Sequence, residues 1–385
     1  MQAFIWLLLV AALGWLAPAA ETAATRPARR AAPDRVVYAW FPRDMSTFST
    51  RAIDWSALTH VCFRSVLLQP DGTVKTGRSD AEIRKLVAEA HRHGVKVTVL
   101  AWGTTRDNSS EYLAKRPEKT VQSLLAFVRK HNLDGVNIDD ETWRETNTVT
   151  NKPNGPLVTR FFRLLHRAFK DARPDYHISY ASPPVISPKA RKFAANWIDY
   201  KAIADLVDGF TIMSYCMAPR IAGWTGGTQP VAGGAVAHGH RRDYVTLVAD
   251  YLDATGGRKE KLLIGMALYN ESKMFSAAAE WDCKTDKPLC RQIIGKHRVL
   301  TLAEAHTRAR KHGRRLDPKQ KTWWYCHRRG DHFVQGWYDD AESLAMKFAW
   351  AREIGIAGVC VWVIDGANEP PETFRMIHRE LLGRR

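Results

Sequence analysis

The residues best suited to carry out chemistry lie in the segment Leu133 to Glu141, which reads LDGVNIDDE. In a β-strand, successive side chains point to opposite faces, so Asn137, Asp139 and Glu141 share one face. Two carboxyl groups on one face can work together as a proton donor and an electrostatic partner. Burying such a row without partners is costly, so we expect it to line a functional site. A solvated strand end with incidental acidic residues is the alternative.

Eight short apolar segments suited to buried parallel strands alternate with segments of helical period from residue 35 onward. They are Val36–Phe41, Thr59–Phe63, Val95–Ala101, Gly135–Asp139, His177–Ala181, Gly209–Ser214, Lys261–Leu268 and Ala357–Val363. Eight strand-then-helix units predict an α/β fold, a (β/α)8 TIM barrel over residues 35–385. Glu141 then lies at the carboxyl end of the fourth strand, where barrel enzymes keep their active sites. No GxGxxG follows the first strand, which disfavours an open doubly wound sheet.

Helices are predicted between these strands. Apolar residues stand at i, i+3, i+4 and i+7 in segments 83–90 and 121–128, as in a helix with one buried face. Further helices are expected at 157–172, 241–254, 341–354 and 371–382, with a candidate at 198–206. Residues 270–339 break the alternation and are too many for a simple connection. We therefore expect a small inserted α+β lobe between the seventh strand and its helix, on the catalytic face.

The first 34 residues are predicted to lie outside the barrel. The apolar run Phe4 to Leu16 is shorter than the roughly 20 residues that cross a bilayer, and small residues follow it. It predicts a signal peptide at 1–19 and a flexible spacer at 20–34. A retained anchor is the alternative, because no Lys or Arg precedes the run. We expect a secreted or periplasmic protein with no stable membrane span.

The chain is basic, with 57 Lys and Arg against 40 Asp and Glu and a formal net charge of +17. The excess is spread along the chain and no nucleic-acid reading module accompanies it, so no specific nucleic-acid partner is predicted. A charge of this kind favours adhesion to acidic polymers.

Six cysteines stand at positions 62, 216, 283, 290, 326 and 360. In an exported protein, the closely spaced Cys283 and Cys290 are predicted to form a disulfide. Neither CxxC nor HExxH occurs, and His238-Gly239-His240 is a lone cluster, so no metal site is predicted.

The segment Asp134 to Glu141 resembles the DGxDxDxE signature of glycoside hydrolase family 18, the chitinase-like (β/α)8 barrels, with Asn137 in place of the first inner aspartate. This Asn is similar to the variant of the di-N-acetylchitobiase branch. The stretch from Trp337-Tyr338-Asp339-Asp340 through Gly358 and Trp362 resembles that branch's closing segment. Met213-Ser214-Tyr215 resembles the family's Met-x-Tyr on the sixth strand. Trp362 is similar to the Trp that ends the eighth.

The resemblance implies a glycosidase that cleaves β-linked N-acetylglucosamine glycans by substrate-assisted retaining catalysis, without metal or organic cofactor. We expect the protein to be a monomer. Glu141 is then the general acid. Asp139 holds the substrate's acetamide N–H and raises the pKa of Glu141, and Tyr215 hydrogen-bonds the acetamide oxygen. Trp362 forms the floor under the sugar. The remaining predicted substrate-binding residues are Asn137, Met213, Tyr38 and Phe63, and for the last two core packing is an equal alternative.

Two departures from the family pattern affect this pocket. Cys216 follows Tyr215 where the family usually has Asp or Asn, and a thiol is a poor replacement for that acceptor. Leu100 to Gly103 replaces the usual Ser-x-Gly-Gly of the third strand. A chitinase-like lectin without activity is therefore a second hypothesis, although the presence of Glu141 favours the enzyme. A disulfide between Cys216 and Cys326 is a further hypothesis.

Overall fold

A computed structural model of the chain describes residues 35–41, 53–190, 194–215, 217, 223–268, 278–364 and 371–383. These residues form the strands β1 (Val36–Trp40), β2 (His60–Leu68), β3 (Val74–Thr76), β4 (Lys96–Gly103), β5 (Gly135–Asp139), β6 (His177–Ser182), β7 (Gly209–Ile212), β8 (Val236–Ala237), β9 (His240–Arg241), β10 (Leu262–Ala267), β11 (Ala278–Cys283), β12 (Arg298–Val299), β13 (Arg315–Asp317), β14 (Thr322–Arg329), β15 (His332–Tyr338) and β16 (Gly358–Trp362). Strands β1, β2, β4, β5, β6, β7, β10 and β16 pair in parallel, and β16 pairs back onto β1, so the sheet closes. The predicted (β/α)8 barrel is confirmed.

Helices cover the outside of this barrel. They are α1 (Asp80–Arg92), α2 (Arg106–Lys115), α3 (Pro117–Lys130), α4 (Asn154–Ala172), α5 (Tyr200–Ala204), α6 (Tyr244–Thr255), α7 (Leu302–His312), α8 (Ala341–Glu353) and α9 (Pro371–Ile377), which a π-helical turn at His378–Leu382 continues. The predicted helices are present, and α2 and α7 are additional. Helix α2 lacks a clear apolar period because its buried face includes Ser109 and Ser110 beside Tyr112 and Leu113.

Two glycines allow the barrel strands to approach one another. Gly135 and Gly358 begin β5 and β16 with φ of +155° and +156°. A Cβ atom would lie 1.9 Å from the carbonyl oxygen of His177 at the first position and of Val36 at the second. Only glycine fits there. The Gly of the Asp134-Gly135 pair in the motif is therefore a requirement of barrel closure.

The barrel interior is packed in layers. A group of small polar side chains surrounds the middle: Tyr38 Oη lies 2.6 Å from Thr98 Oγ1, and Asn137 Nδ2 donates to Ser179 Oγ at 2.8 Å and to Thr211 Oγ1 at 2.9 Å. These residues are fully buried. The outer faces of the same strands pack against the helices in a single large apolar cluster. The inward and outward periodicity predicted for β5 is thus observed.

The predicted inserted lobe lies between β10 and α8. Its antiparallel sheet has the order β12-β11-β15-β14-β13, and α7 packs on it. A buried network ties the lobe to the barrel at Asp339, which receives hydrogen bonds from Lys347 Nζ at 2.6 Å and Gln229 Nε2 at 3.0 Å. Gln229 also bonds the backbone of Ala267, the last residue of β10. The closing segment recognised in the sequence is part of this attachment.

The predicted disulfide is absent from this structure. Cys283 and Cys290 are both free thiols, and each donates to a nearby carbonyl, Cys283 to Thr285 at 2.7 Å and Cys290 to Gln292 at 3.7 Å. Burial raises the pKa of Cys283 to about 12. Pairing of the two cysteines stays a prediction for the exported protein.

Several predictions fall on residues outside those described. They concern the signal peptide at 1–19, the spacer at 20–34, and Cys216 with its hypothetical bond to Cys326. Among the helices that are described, none has the length and apolar character needed to cross a bilayer.

Candidate active site

Strand β5 delivers the carboxyl groups to the mouth of the barrel. Its register aligns Asp139 with Trp102 of β4, and Asn137 with Leu100 of β4 and Ser179 of β6. Asn137 is fully buried in the middle layer, and Asp139 lies above it with 6% of its surface exposed. Glu141 follows in the turn beyond the strand. The motif therefore runs from the core of the barrel to solvent at the carboxyl end of β5.

The intervening Asp140 points the other way, toward α2. One of its carboxylate oxygens accepts hydrogen bonds from Ser109 Oγ at 2.5 Å and Tyr112 Oη at 2.6 Å, and the other from the backbone and hydroxyl of Thr142. A Cβ at Gly103 would come within 2.1 Å of this carboxylate. These bonds fix the turn that carries Glu141, so Asp140 is a structural acid and not a reacting one.

Asp139 is electrostatically unusual. Burial and then the charge of Glu141 raise the pKa of Asp139 well above its ordinary value. Its Oδ1 accepts no hydrogen bond from any described residue, and the same is true of Asn137 Oδ1. Since a buried acceptor without a donor is costly, this site is suited to a proton or to a donor from a ligand.

The surface of Glu141 is exposed, while protein atoms around its carboxyl group partly desolvate it. Burial raises the pKa of Glu141, the nearby Arg64 and Arg144 oppose this, and Asp140 adds to it. Arg144 also donates to the Glu141 carbonyl oxygen at 2.8 Å. The raised pKa agrees with the sequence prediction, although burial and not Asp139 is its main cause. A carboxyl group in this state holds its proton to a higher pH than an ordinary glutamate and can release it to a substrate.

An aromatic group completes the mouth. Tyr215 is buried and stacks on Trp362 with ring centroids 5.9 Å apart and an interplanar angle of 21°. Trp40 meets the edge of Trp362 at 5.8 Å. Ser214 donates to the Gly265 carbonyl at 2.8 Å and so fixes the turn between Met213 and Tyr215. Met213 is half-buried in the same interior cluster.

The structure separates the two residues that were predicted as pocket lining or core. Tyr38 is fully buried below the mouth, stacked on His60 at 5.8 Å, so it supports the site from inside the barrel. Phe63 points outward and packs near Phe127 at 6.5 Å. Side chains alternate along β2, so its two neighbours, Cys62 and Arg64, point inward and Phe63 does not line the site.

Sequence reasoning missed one of those neighbours, Arg64. Its guanidinium lies 5.4 Å from the ring centroid of Trp102 and 5.2 Å from that of Trp362. The signal was available, because alternation places Cys62 and Arg64 on the face opposite to Phe63. Trp102 was noted in the sequence only as a departure in the third strand, and the structure places it beside Asp139.

The described residues contain no group of three or more His, Cys, Asp or Glu that could hold a metal ion. The geometry at the mouth is therefore one of carboxyl groups, aromatic rings and a guanidinium.

Comparison with known proteins identifies the family. The profile of "Glycosyl hydrolases family 18" matches residues 35–367. Di-N-acetylchitobiase from Homo sapiens is 24% identical over 361 residues, covering 91% of this chain and 83% of that protein. Probable chitinase 10 from Drosophila melanogaster is 21% identical over 345 residues, 85% of this chain but only 15% of that protein's length.

Solved structures show the same fold. A family 18 chitinase from Cycas revoluta, solved in complex with (GlcNAc)4, superposes with a TM-score of 0.70 at 17% identity, covering 90% of this chain and 99% of that one. Because the family profile spans nearly all of the barrel and its lobe, this chain belongs to family 18 of the glycosyl hydrolases.

Proposed function

We propose that this protein hydrolyses β-linked N-acetylglucosamine glycans by a retaining, substrate-assisted mechanism. The observation that carries the proposal is the pair Asp139 and Glu141 at the barrel mouth, both with a raised pKa. Two such groups share protons instead of both ionising, which keeps one carboxylic acid available as a donor. Di-N-acetylchitobiases and chitinases among the relatives support the same substrate class.

In the proposed first step, Glu141 gives its proton to the glycosidic oxygen as the bond to the anomeric carbon breaks. The carbonyl oxygen of the substrate's own 2-acetamido group forms the new bond to that carbon, giving an oxazolinium-like intermediate. In the second step Glu141 takes a proton from water, whose oxygen opens the intermediate and restores the acetamide with the original anomeric configuration.

Two neighbours hold the acetamide group in this scheme. The unpaired Oδ1 of Asp139 accepts the acetamide N–H and stabilises the positive charge that develops on the group. Tyr215 donates to the acetamide oxygen, and its stacking on Trp362 fixes the orientation of the phenol. Asn137 and Met213 line the wall below and beside them. The proposed mechanism uses no metal and no organic cofactor. We further propose that the protein is exported and acts as a monomer.

The test is hydrolysis of a fluorogenic di-N-acetylchitobioside by wild type and Glu141→Gln. Loss of the general acid should lower kcat/KM by on the order of 10²-fold or more. Glu145→Gln is the matched control, because Glu145 is an exposed carboxylate four residues further along the same loop. It should keep nearly full activity. Retained β-configuration in the first product, followed by NMR, tests the stereochemistry.

The alternative is a glycan-binding protein without activity. It is supported if wild type and Glu141→Gln are equally slow while both bind chito-oligosaccharides. If the protein neither binds nor hydrolyses any N-acetylglucosamine oligomer, both versions of the proposal are refuted.

A further inference from the structure

Arg64 is a cation at the mouth of the barrel that the proposed mechanism does not use. It extends inward from β2, and its guanidinium lies over Trp102 from β4 and Trp362 from β16, at 5.4 and 5.2 Å from the ring centroids. The side chain is half-buried. Cation–π contacts with two rings restrict its position, so the charge is held close to Trp362, the proposed floor under the sugar.

The N–H donors of the Arg64 guanidinium are not used by any of the described residues. Its guanidinium makes no ion pair within 4.0 Å and no hydrogen bond to any of them, whereas nearby Arg144 donates to the carbonyls of Glu141 at 2.8 Å and Trp143 at 2.6 Å. The charge of Arg64 nevertheless acts on Asp139 and Glu141 and lowers the pKa of both against the effect of burial. Arg64 is therefore close to the reacting groups but not paired with them.

A guanidinium fixed by aromatic rings, with free N–H donors, is suited to a planar anion. It recognises a carboxylate through two parallel hydrogen bonds, which a neutral hydroxyl cannot match in strength. A sugar ring on Trp362 brings its own substituents beside Arg64. A neutral chitin oligomer offers this cation hydroxyl and acetamide groups only.

We propose that Arg64 binds a carboxylate carried by the substrate, so that this site prefers acidic N-acetylated amino-sugar glycans over neutral chitin oligomers. The proposal rests on the proposed function and specifies its substrate class. The net charge of +17 acts in the same direction, because it attracts polyanions from a distance. The carboxylate could come from a 3-O-lactyl ether on the amino sugar or from a uronic acid in the chain. Both present the same group to Arg64.

Binding should be measured by calorimetry in a Glu141→Gln background, which removes hydrolysis. The ligands are three β-linked tetrasaccharides: neutral chitotetraose, one whose alternate N-acetylglucosamines carry a 3-O-lactyl group, and one alternating N-acetylglucosamine with glucuronic acid. We expect at least one acidic ligand to bind about 10-fold or more tightly than chitotetraose. Which acidic ligand does so identifies the source of the carboxylate.

The added substitution Arg64→Gln should weaken the preferred acidic ligand by roughly 10- to 100-fold and change chitotetraose binding by less than about 3-fold. Arg106→Gln is the matched control, because Arg106 is an exposed arginine that begins α2 just beyond β4. It removes one positive charge from the same face of the barrel and should leave the preference intact. Circular dichroism and the thermal midpoint confirm that each variant is folded.

Three results would overturn the inference. In the first, chitotetraose binds as tightly as the tighter of the two acidic ligands. This result does not refute the proposed function. In the second, Arg64→Gln weakens all ligands equally, so Arg64 only supports the two tryptophans. In the third, Arg64→Gln made alone in the wild type shifts the pH dependence of hydrolysis, while the double variant keeps the ligand preference, so Arg64 only adjusts Glu141. Failure to bind any of the three glycans would instead refute the proposed function itself.

Discussion

Two histidines inside the amino-terminal end of the barrel predict a loss of stability in mild acid. His60 and His177 are 8% and 7% exposed, and their ring centroids are 4.5 Å apart. Burial lowers the pKa of His177 to about 3, with Lys96, Lys170 and Lys261 adding to the effect. Burial and the neighbouring His177 lower the pKa of His60 well below its ordinary value. Both rings are therefore neutral in the folded protein.

The sign follows from proton linkage. Below pH about 6.5 the unfolded chain binds a proton at each histidine and the folded chain does not, so acid favours unfolding. With a folded pKa of about 3 for His177, the free energy of unfolding should fall by about 2 kcal/mol between pH 7 and pH 5 from this residue alone. His60 contributes with the same sign. The raised pKa values of Asp139 and Glu141 act in the opposite direction, so the slope of the wild type is not diagnostic by itself.

The diagnostic quantity is the difference between variants. In urea unfolding from pH 5.0 to 7.5, His177→Gln should be less stable than the wild type at pH 7. The slope of its free energy of unfolding against pH should be smaller by about one proton, near 1.4 kcal/mol per pH unit at pH 5. His238→Asn is the control, because His238 is exposed in a turn with φ of +52°, which Asn also adopts. Its slope should match the wild type. Equal slopes for His177→Gln and wild type would refute the assignment of a neutral buried ring.

Two further predictions concern the supports of the site. Gly103→Ala forces a methyl group against the Asp140 carboxylate, 2.1 Å away. It should lower the free energy of unfolding in urea by roughly 1 to 3 kcal/mol and reduce hydrolysis. Gly77→Ala is the control, because a Cβ there meets no atom within 4 Å, and it should change neither quantity. Asp339→Asn leaves the fully buried Lys347 ammonium without its counter-charge and should destabilise by about 3 to 5 kcal/mol. Adding Lys347→Met should recover most of that loss, and no recovery would contradict the ion-pair explanation.

The fold was predictable because the barrel strands can be recognised in the sequence. Each is a short apolar run, and the segment around Asn137 and Asp139 shows the inward and outward alternation directly. The limits of β5 and the position of the lobe follow from these local patterns. Helix α7 was missed because it is strongly basic and buries little more than Ala305 and Ala309. A helix with so narrow an apolar stripe gives no clear period.

The site was predictable in its motif and not in its surroundings. Periodicity places Asp139 and Glu141 on one face, but it does not reveal which side chain from another strand reaches them. Arg64 spans from β2 to tryptophans on β4 and β16, a contact set by barrel closure. Phe63 was predicted as a possible wall residue because it ends an apolar run. The alternation of β2 could have excluded it and pointed to Arg64.

The asparagine at position 137 has a physical consequence for the row of side chains above it. The barrel interior around it offers hydroxyl groups, and Asn137 uses both donors of its amide on Ser179 and Thr211. A carboxylate at this position could only accept from those hydroxyls and would add a third charge beside Asp139 and Glu141. With a neutral amide, the buried row contains two acids instead of three. A single shared proton then suffices to avoid two adjacent charges, and that proton is the one that the proposed catalysis by Glu141 requires.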